Sequence, residues 1–377
     1  MPLTPPPFSL GIEEEYLLVD RHTRQLATDP PEALFNACAK RLPNQVTHEF
    51  LRSQIEIGTP VCRDITEARA QLGELRQQVA AIAAQFDLAI IAAATHPLAF
   101  WCDQQHTPQA RYDLLAEDLQ GVVRRLVTCG MHVHVGIDDD DLRIDLMNQC
   151  VYFLPHLLAL STSSPFWGGD DTGLKSYRLS VFNELPRTGL PDRFNSYAEY
   201  QRHVDVLTRT GLIKDASMLW WDLRPSCKYP TLEMRITDVC TSLDDAIAIA
   251  ALYQATLRML YNLRSRNQRW RQYAPMLIHE NRWRAQRYGT DEGMIDFGQS
   301  HKLPFPQLLD EWLEMIDEAA QQLDCQSAVQ QARAILARGT SADRQRQHYD
   351  AALNQGLSPQ QAMETVVDWL ISETQRF

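Results

Sequence analysis

The sequence is poor in lysine. Only Lys40, Lys175, Lys214, Lys228 and Lys302 occur, so the rest of the 36 basic side chains are arginine. It also lacks a basic balance: 48 acidic residues give a formal net charge of -12. That excess disfavours a surface for nucleic acid or an anionic membrane, because phosphate neutralisation needs a basic field. No apolar run approaches the ~20 residues of a membrane span. Residues 1–7 hold three consecutive prolines and neither the basic nor the apolar region of a signal peptide. The eight cysteines form no C-x-x-C pair, and several sit in apolar runs as small hydrophobes, which fits reduced thiols. These absences together predict a cytoplasmic protein whose partners are small molecules or proteins.

Phosphate loops are missing too. There is no Gly-x-x-x-x-Gly-Lys-Ser/Thr and no Gly-x-Gly-x-x-Gly after a strand, which excludes the P-loop, kinase and Rossmann solutions. Any phosphate must be held by cations and by arginine, whose planar fork suits anionic oxygens.

What is present is an ordinary globular composition, 377 residues with 45% hydrophobic and 22% charged. Residues 1–240 alternate short apolar stretches with helical patterns, and 241–377 are almost continuously helical. Strands are expected at 8–19, 45–50, 53–59, 87–94, 130–137, 218–224 and 231–237. Helices are expected at 31–41, 65–85, 142–160, 243–270, 275–288 and 305–323, the second opened by Asp64 with Glu67 three residues on. The expected organisation is one catalytic domain over 1–377, its first part carrying the site. Residues 161–191 hold four glycines and form a long connection, of which 168–191 is expected to close as a lid over the site.

Four strands share one plan. In Gly11-Ile12-Glu13-Glu14-Glu15-Tyr16, alternation puts Glu13 and Glu15 on one face, about 7 Å apart, and Glu14 on the other. Glu56 lies between Ile55 and Ile57, with Glu49 seven residues earlier across a turn. In Met131-His132-Val133-His134-Val135, both histidines point away from the apolar face. Leu232, Met234 and Ile236 oppose Glu233 and Arg235, and just upstream Asp222 and Arg224 share a face, either pair being able to form a structural ion pair. Singly, an E-x-E can be a solvated edge and an H-x-H a zinc site. Together they describe an open antiparallel sheet cradling a charged site.

Glu13, Glu15, Glu49, Glu56 and Glu233 on one surface repel unless divalent cations neutralise them. Carboxylates with few imidazoles select Mg²⁺ or Mn²⁺ over zinc. Such ions beside arginines suit phosphoryl transfer from a nucleotide.

Five segments carry a resemblance: FSLGIEEEYLLVD at 8–20, EFLRSQIEIGTP at 49–60, CGMHVHVGI at 129–137, SYRLSVFNELPRTGLP at 176–191 and YPTLEMRITD at 229–238. In this order they resemble the carboxylate-amine ligase family, the type 2 glutamate–cysteine ligases of the glutamine synthetase-like superfamily. The resemblance implies an α+β fold with a curved antiparallel sheet, a metal and nucleotide site on its concave face and helices on its convex side. It implies ATP-dependent joining of the γ-carboxylate of L-glutamate to an amine, L-cysteine in the simplest case, through an acyl phosphate, with weak glutamate–cysteine ligase activity. By motif position, Glu13, Glu15, Glu49, Glu56, His132 and Glu233 match metal ligands, and His134 a nucleotide-side residue. Arg235 matches the arginine that stabilises the transferred phosphoryl group. Arg178 is expected at the reacting groups, and Arg224 and Arg187 at ATP or a substrate carboxylate. A homo-oligomer, simplest as a dimer, is also expected. Two alternatives remain open: a metal-dependent hydrolase built on His132 and His134, and a nucleotide-binding regulatory protein without turnover.

Overall fold

The structure is a computed structural model that describes residues 5–377. Its centre is one sheet of seven strands: β1 Leu10–Asp20, β2 Val46–His48, β3 Gln54–Gly58, β4 Leu88–Ile91, β5 Met131–Gly136, β6 Leu223–Pro225 and β7 Thr231–Met234. The order is β6-β7-β5-β1-β3-β2, with β4 also paired to β1, and every pairing is antiparallel. Eleven residues long, β1 reaches three partners: β3 along one edge, and β5 then β4 along the other. Proline ends β6 at the sheet edge, where a missing backbone donor costs no ladder bond.

Alternation gives the sheet two chemically distinct faces. Ile12, Tyr16, Ile55, Ile57, Met131, Val133, Val135, Leu232 and Met234 are all buried on one of them. Helices Ile65–Ala83 and Leu243–Ser265 cover this face. From the second, the Tyr253 hydroxyl donates to the Leu232 carbonyl at 3.1 Å and Gln254 Nε2 to the Phe8 carbonyl at 2.7 Å.

Glu14 also points into this apolar layer, fully buried. It accepts from Arg76 Nε at 2.8 Å and Nη2 at 2.6 Å, and from the Tyr16 hydroxyl. Arg76 further donates to the Cys240 and Thr241 carbonyls, so it ties helix Ile65–Ala83 and the start of helix Leu243–Ser265 to the central strand. The odd residues of β1, with Glu56, His132, His134 and Glu233, occupy the opposite face.

The second half is helical: Leu243–Ser265, Pro275–Tyr288, Phe305–Gln322, Gln326–Arg338, Ser341–Asn354 and Pro359–Thr374, interrupted by the small hairpin Met294–Asp296 and His301–Leu303. Capping boxes at Thr340/Asp343 and Ser358/Gln361 start the last two. No helix among the described residues is long and apolar enough to cross a membrane, and all eight cysteines are free.

Two segments depart from expectation. The helix expected over 142–160 breaks into Asp140–Cys150, the 3-10 turn Val151–Phe153 and Leu154–Ser161, because Pro155 lacks the donor that would continue the ladder and serves instead as a helix start. The strand expected over 218–224 divides at Asp222. Before it, Trp220–Trp221 pairs in parallel with Thr188–Gly189, and the Asp222 amide donates to the Gly189 carbonyl at 2.8 Å. In segment 168–191, expected to close as a lid, the Ser176 hydroxyl donates to buried Asp238 at 2.8 Å, and just upstream the Ser163 amide at 2.9 Å and the Ser164 hydroxyl at 2.8 Å donate to the same carboxylate.

Candidate active site

Strand register brings the chemistry together. Glu13 stands opposite His132 across β1 and β5, Glu15 opposite Glu56 across β1 and β3, and Glu233 opposite His134 across β7 and β5. The rest is short-range. His132 Nδ1 lies 3.2 Å from Glu13 Oε2, His134 Nε2 3.5 Å from Glu13 Oε1, and His132 Nε2 3.8 Å from Glu15 Oε1. Glu49 enters from the turn between β2 and β3, and the Glu56 carboxylate accepts from the Thr47 hydroxyl at 2.5 Å.

Three overlapping groups result, each with ligand atoms within 4.8 Å of one another: Glu13–His134–Glu233, Glu13–Glu56–His132 and Glu15–Glu49–Glu56. Glu13 and Glu56 each belong to two. The structure thus gathers all six residues matched to metal ligands, and adds His134, expected on the nucleotide side, to the first group.

Electrostatics divides the array. Burial, then the charges of Glu13 and Glu15, pushes the Glu56 carboxyl up to about 7. Glu49 is also raised well above its ordinary value, by burial and then by Glu56 and Glu15. Glu13 goes the other way: burial raises it, but hydrogen bonds to His132 and His134 outweigh that. Glu233 is likewise held low against burial, by Arg235 and Arg224. Burial, with Arg235, lowers His132.

The corner of Glu15, Glu49 and Glu56 therefore gathers like charge, which Arg235 and Arg178 offset only in part, at Glu15. The buried Nε2 atoms of His132 and His134 lie 3.8 and 3.5 Å from the Glu15 and Glu13 carboxylates, too far for a tight hydrogen bond. Carboxylate oxygens in excess, with two imidazole nitrogens free to ligate, fit hard divalent cations. No third histidine joins these groups among the described residues. His156, which a hydrolase site could have recruited, is buried against Tyr152, Phe153 and Trp312 instead.

The arginines take different places. Arg235 Nη1 donates to Glu233 Oε1 at 2.5 Å and lies 3.3 Å from His132 Nδ1, while its buried Nε has no partner. Arg224 is fully engaged: Nε and Nη2 each donate to Glu233 at 3.0 Å, and Nη1 to the Ser217 and Leu219 carbonyls. Its geometry orients Glu233 rather than leaving a fork free for a ligand. Arg178 is 2% exposed, yet its guanidinium makes only long bonds to the Arg235 and Ile236 carbonyls, at 3.3 and 3.4 Å. Gly130 makes room for it, since a Cβ there would collide with that guanidinium. Arg187 lies further out, over the Trp220 ring, with Nε donating to the Met218 carbonyl at 3.1 Å.

A cavity of about 580 Å³ opens beside this array, and Glu15, Glu49, His132, Arg178 and Arg235 form its charged wall. Several supporting residues were not singled out in the sequence. Asp238 closes the YPTLEMRITD segment and fixes Ser164, whose hydroxyl accepts from the Arg178 amide at 3.1 Å. Asp222 pairs with Arg282 at 2.6 Å and not with Arg224, because the strand breaks there and turns its side chain to helix Pro275–Tyr288.

The model of the glutamate–cysteine ligase family 2 matches residues 9–367. The chain belongs to this family. Relatives within it include proteins provisionally named glutamate–cysteine ligase 2. That of Rhodospirillum rubrum is 60% identical over 373 residues, 98% of this chain and 96% of that one. That of Paracoccus denitrificans is 55% identical over 371 residues, 98% of each. Membership makes the protein a ligase of the carboxylate–amine kind. Two solved structures share the fold at 15% identity: glutamate–cysteine ligase of Francisella tularensis in complex with AMP (TM-score 0.65, 98% of this chain, 89% of that one) and a bifunctional glutathione synthetase of Pasteurella multocida (TM-score 0.69, 97% and 52%). The chain spans about half the length of the latter.

Proposed function

We propose that this ligase uses ATP to activate the γ-carboxylate of L-glutamate and passes the acyl group to an amine, accepting L-cysteine weakly. The observation that carries the reading is the set of three overlapping carboxylate and histidine groups on one sheet face, bordered by the incompletely partnered arginines Arg178 and Arg235. The whole chain acts as one catalytic domain, its sheet bearing the site and its helical half backing the sheet.

A γ-carboxylate oxygen attacks the γ-phosphorus of ATP, the new O–P bond forms, and ADP leaves. The amine lone pair then attacks the acyl carbon, the C–N bond forms, inorganic phosphate leaves, and the amine proton passes to phosphate or solvent. Mg²⁺ or Mn²⁺, held by Glu13, Glu15, Glu49, Glu56, His132 and Glu233, supplies neutralisation of phosphoryl charge when bound. Arg235, anchored by Glu233, directs its free Nε edge at the transferred group, and Arg178 supplies a buried positive charge with no carboxylate partner to a substrate anion. Arg224 acts through Glu233, holding it in place. Because the protein groups are fixed before substrate arrives, catalysis is mainly positioning and electrostatics.

The test is ADP release from ATP and Mg²⁺ with glutamate, with and without cysteine, in the wild type and Glu13→Gln. Glutamate-dependent, amine-stimulated ADP in the wild type and its loss in the variant are expected. Hydrolysis of a simple ester or amide without amine-stimulated ADP would replace this reading with the hydrolase one.

A further inference from the structure

We infer that the acceptor amine has a bulky apolar body, and that the cavity beside the acid array is its binding site. This rests on the ligase reading above. The cavity has two kinds of wall. Opposite its charged wall stand Leu115, Leu119, Leu126, Phe182, Ile213 and Trp220. They come from four separate segments: helix Ala110–Leu119, the stretch before β5, helix Arg178–Phe182 and the stretch leading to Trp220–Trp221. Side chains converging from such distant parts of the chain make a formed chamber with an apolar wall and not the flank of one helix.

The chamber, even when shared with glutamate, offers cysteine more apolar wall than its short side chain can cover. At about 580 Å³ it falls within the range of pockets that enclose drug-sized ligands, about 300–1,000 Å³. A thiomethyl side chain would leave most of that wall against water. The nucleotide has another approach: Glu13, His134 and Glu233 do not line the cavity. Their end of the array carries Tyr229, edge-on to His134 with ring centroids 6.1 Å apart, and exposed Lys228 beside it. A triphosphate suits that end, where Lys228 and the open edge of the array meet solvent. Glu15, Arg178 and Arg235 lie where the two ends meet, so an amine seated in the chamber has its nitrogen facing the activated carboxylate. Asp118 complements an ammonium group as it enters, while Asp215 at the same mouth is offset by Lys214.

The experiment uses the full-length protein with ATP, Mg²⁺ and glutamate. Hydroxylamine, which needs no side-chain pocket, captures the acyl phosphate as a hydroxamate and reports the ligase reading by itself. Against this reference, cysteine, glycine, 2-phenylethylamine, tryptamine and leucine amide are compared by kcat/KM. The apolar amines are expected to exceed cysteine by at least about 10-fold, the gain from burying one large apolar group. Leu119→Asp and Phe182→Asp are expected to raise the KM for these amines at least about 10-fold more than the KM for hydroxylamine.

Hydroxamate formation with apolar amines no better than cysteine overturns the inference and leaves the ligase reading intact. A rise in the KM for ATP in the two variants, in place of that for the amine, also overturns it, by making the chamber the nucleotide site. Absence of hydroxamate removes the ligase reading and the inference with it.

Discussion

At the scale of single residues, the site separates groups that meet substrate from groups that hold them. In the proposed mechanism Arg235 belongs to the first kind, and Glu56 acts beside it as a ligand of the bound cation. Glu56→Gln and Arg235→Ala should each lower kcat for glutamate-dependent ADP release on the order of 10²-fold or more, since both act on charge that grows in the transition state. Near-wild-type kcat in either would remove that residue from the reacting centre. Arg76 is of the second kind and never approaches the site face. Arg76→Met leaves Glu14 buried and unpaired, and should cost about 3–5 kcal/mol in urea unfolding. His156 gives a pH dependence independent of the acid array. Burial lowers it to about 4, so as pH falls the unfolded chain takes up its proton first. Stability fully present above about pH 6.5 is lost progressively down to about pH 4. The loss at pH 5 is about 2 kcal/mol, and His156→Phe should flatten that part of the curve in urea titrations at pH 7 and 5.

Elements show how far local pattern carries. The face assignments of β1, β3, β5 and β7 were legible because side chains on a strand alternate with a fixed period, so an acid between two isoleucines can only face away from them. Glu49 was legible by its distance from Glu56 across a turn. What could not be read was pairing that depends on where helices cross the sheet. Arg76 meets Glu14 only after helix Ile65–Ala83 has docked, and Asp222 finds Arg282 only because the chain bends between β6 and the preceding pair of tryptophans. The cavity wall, drawn from four segments, has no local signature at all. Segment 168–191 makes the same point: its glycines are read from the sequence, while the bond from Ser176 to distant Asp238 is not. Limited proteolysis should leave this segment intact with or without ATP and Mg²⁺, and Asp238→Ala should open it to cleavage. Protection of the wild type only with ATP and Mg²⁺ would mark it as a moving lid.

For the whole molecule, the formal charge of -12 includes a concentrated fraction on one sheet face, whose mutual repulsion bound divalent cations would relieve in the proposed reading. Mg²⁺ at 100 times its Kd should stabilise the protein by about 2.7 kcal/mol per independent site. That should appear as a Tm several degrees above the value in EDTA, with NaCl of equal ionic strength giving no such rise. Glu13→Gln should shrink the shift, because Glu13 serves two of the three groups.

The run Glu13-Glu14-Glu15 also acts as a proofreader during folding. A slip of β1 by one position would turn two carboxylates toward the apolar layer, where Arg76 can satisfy one, and leave a single acid on the side that needs two. The misaligned chain is penalised in its core for the same error that would disable it as a ligase, so molecules that pass the test of stability have already passed the test of catalytic alignment.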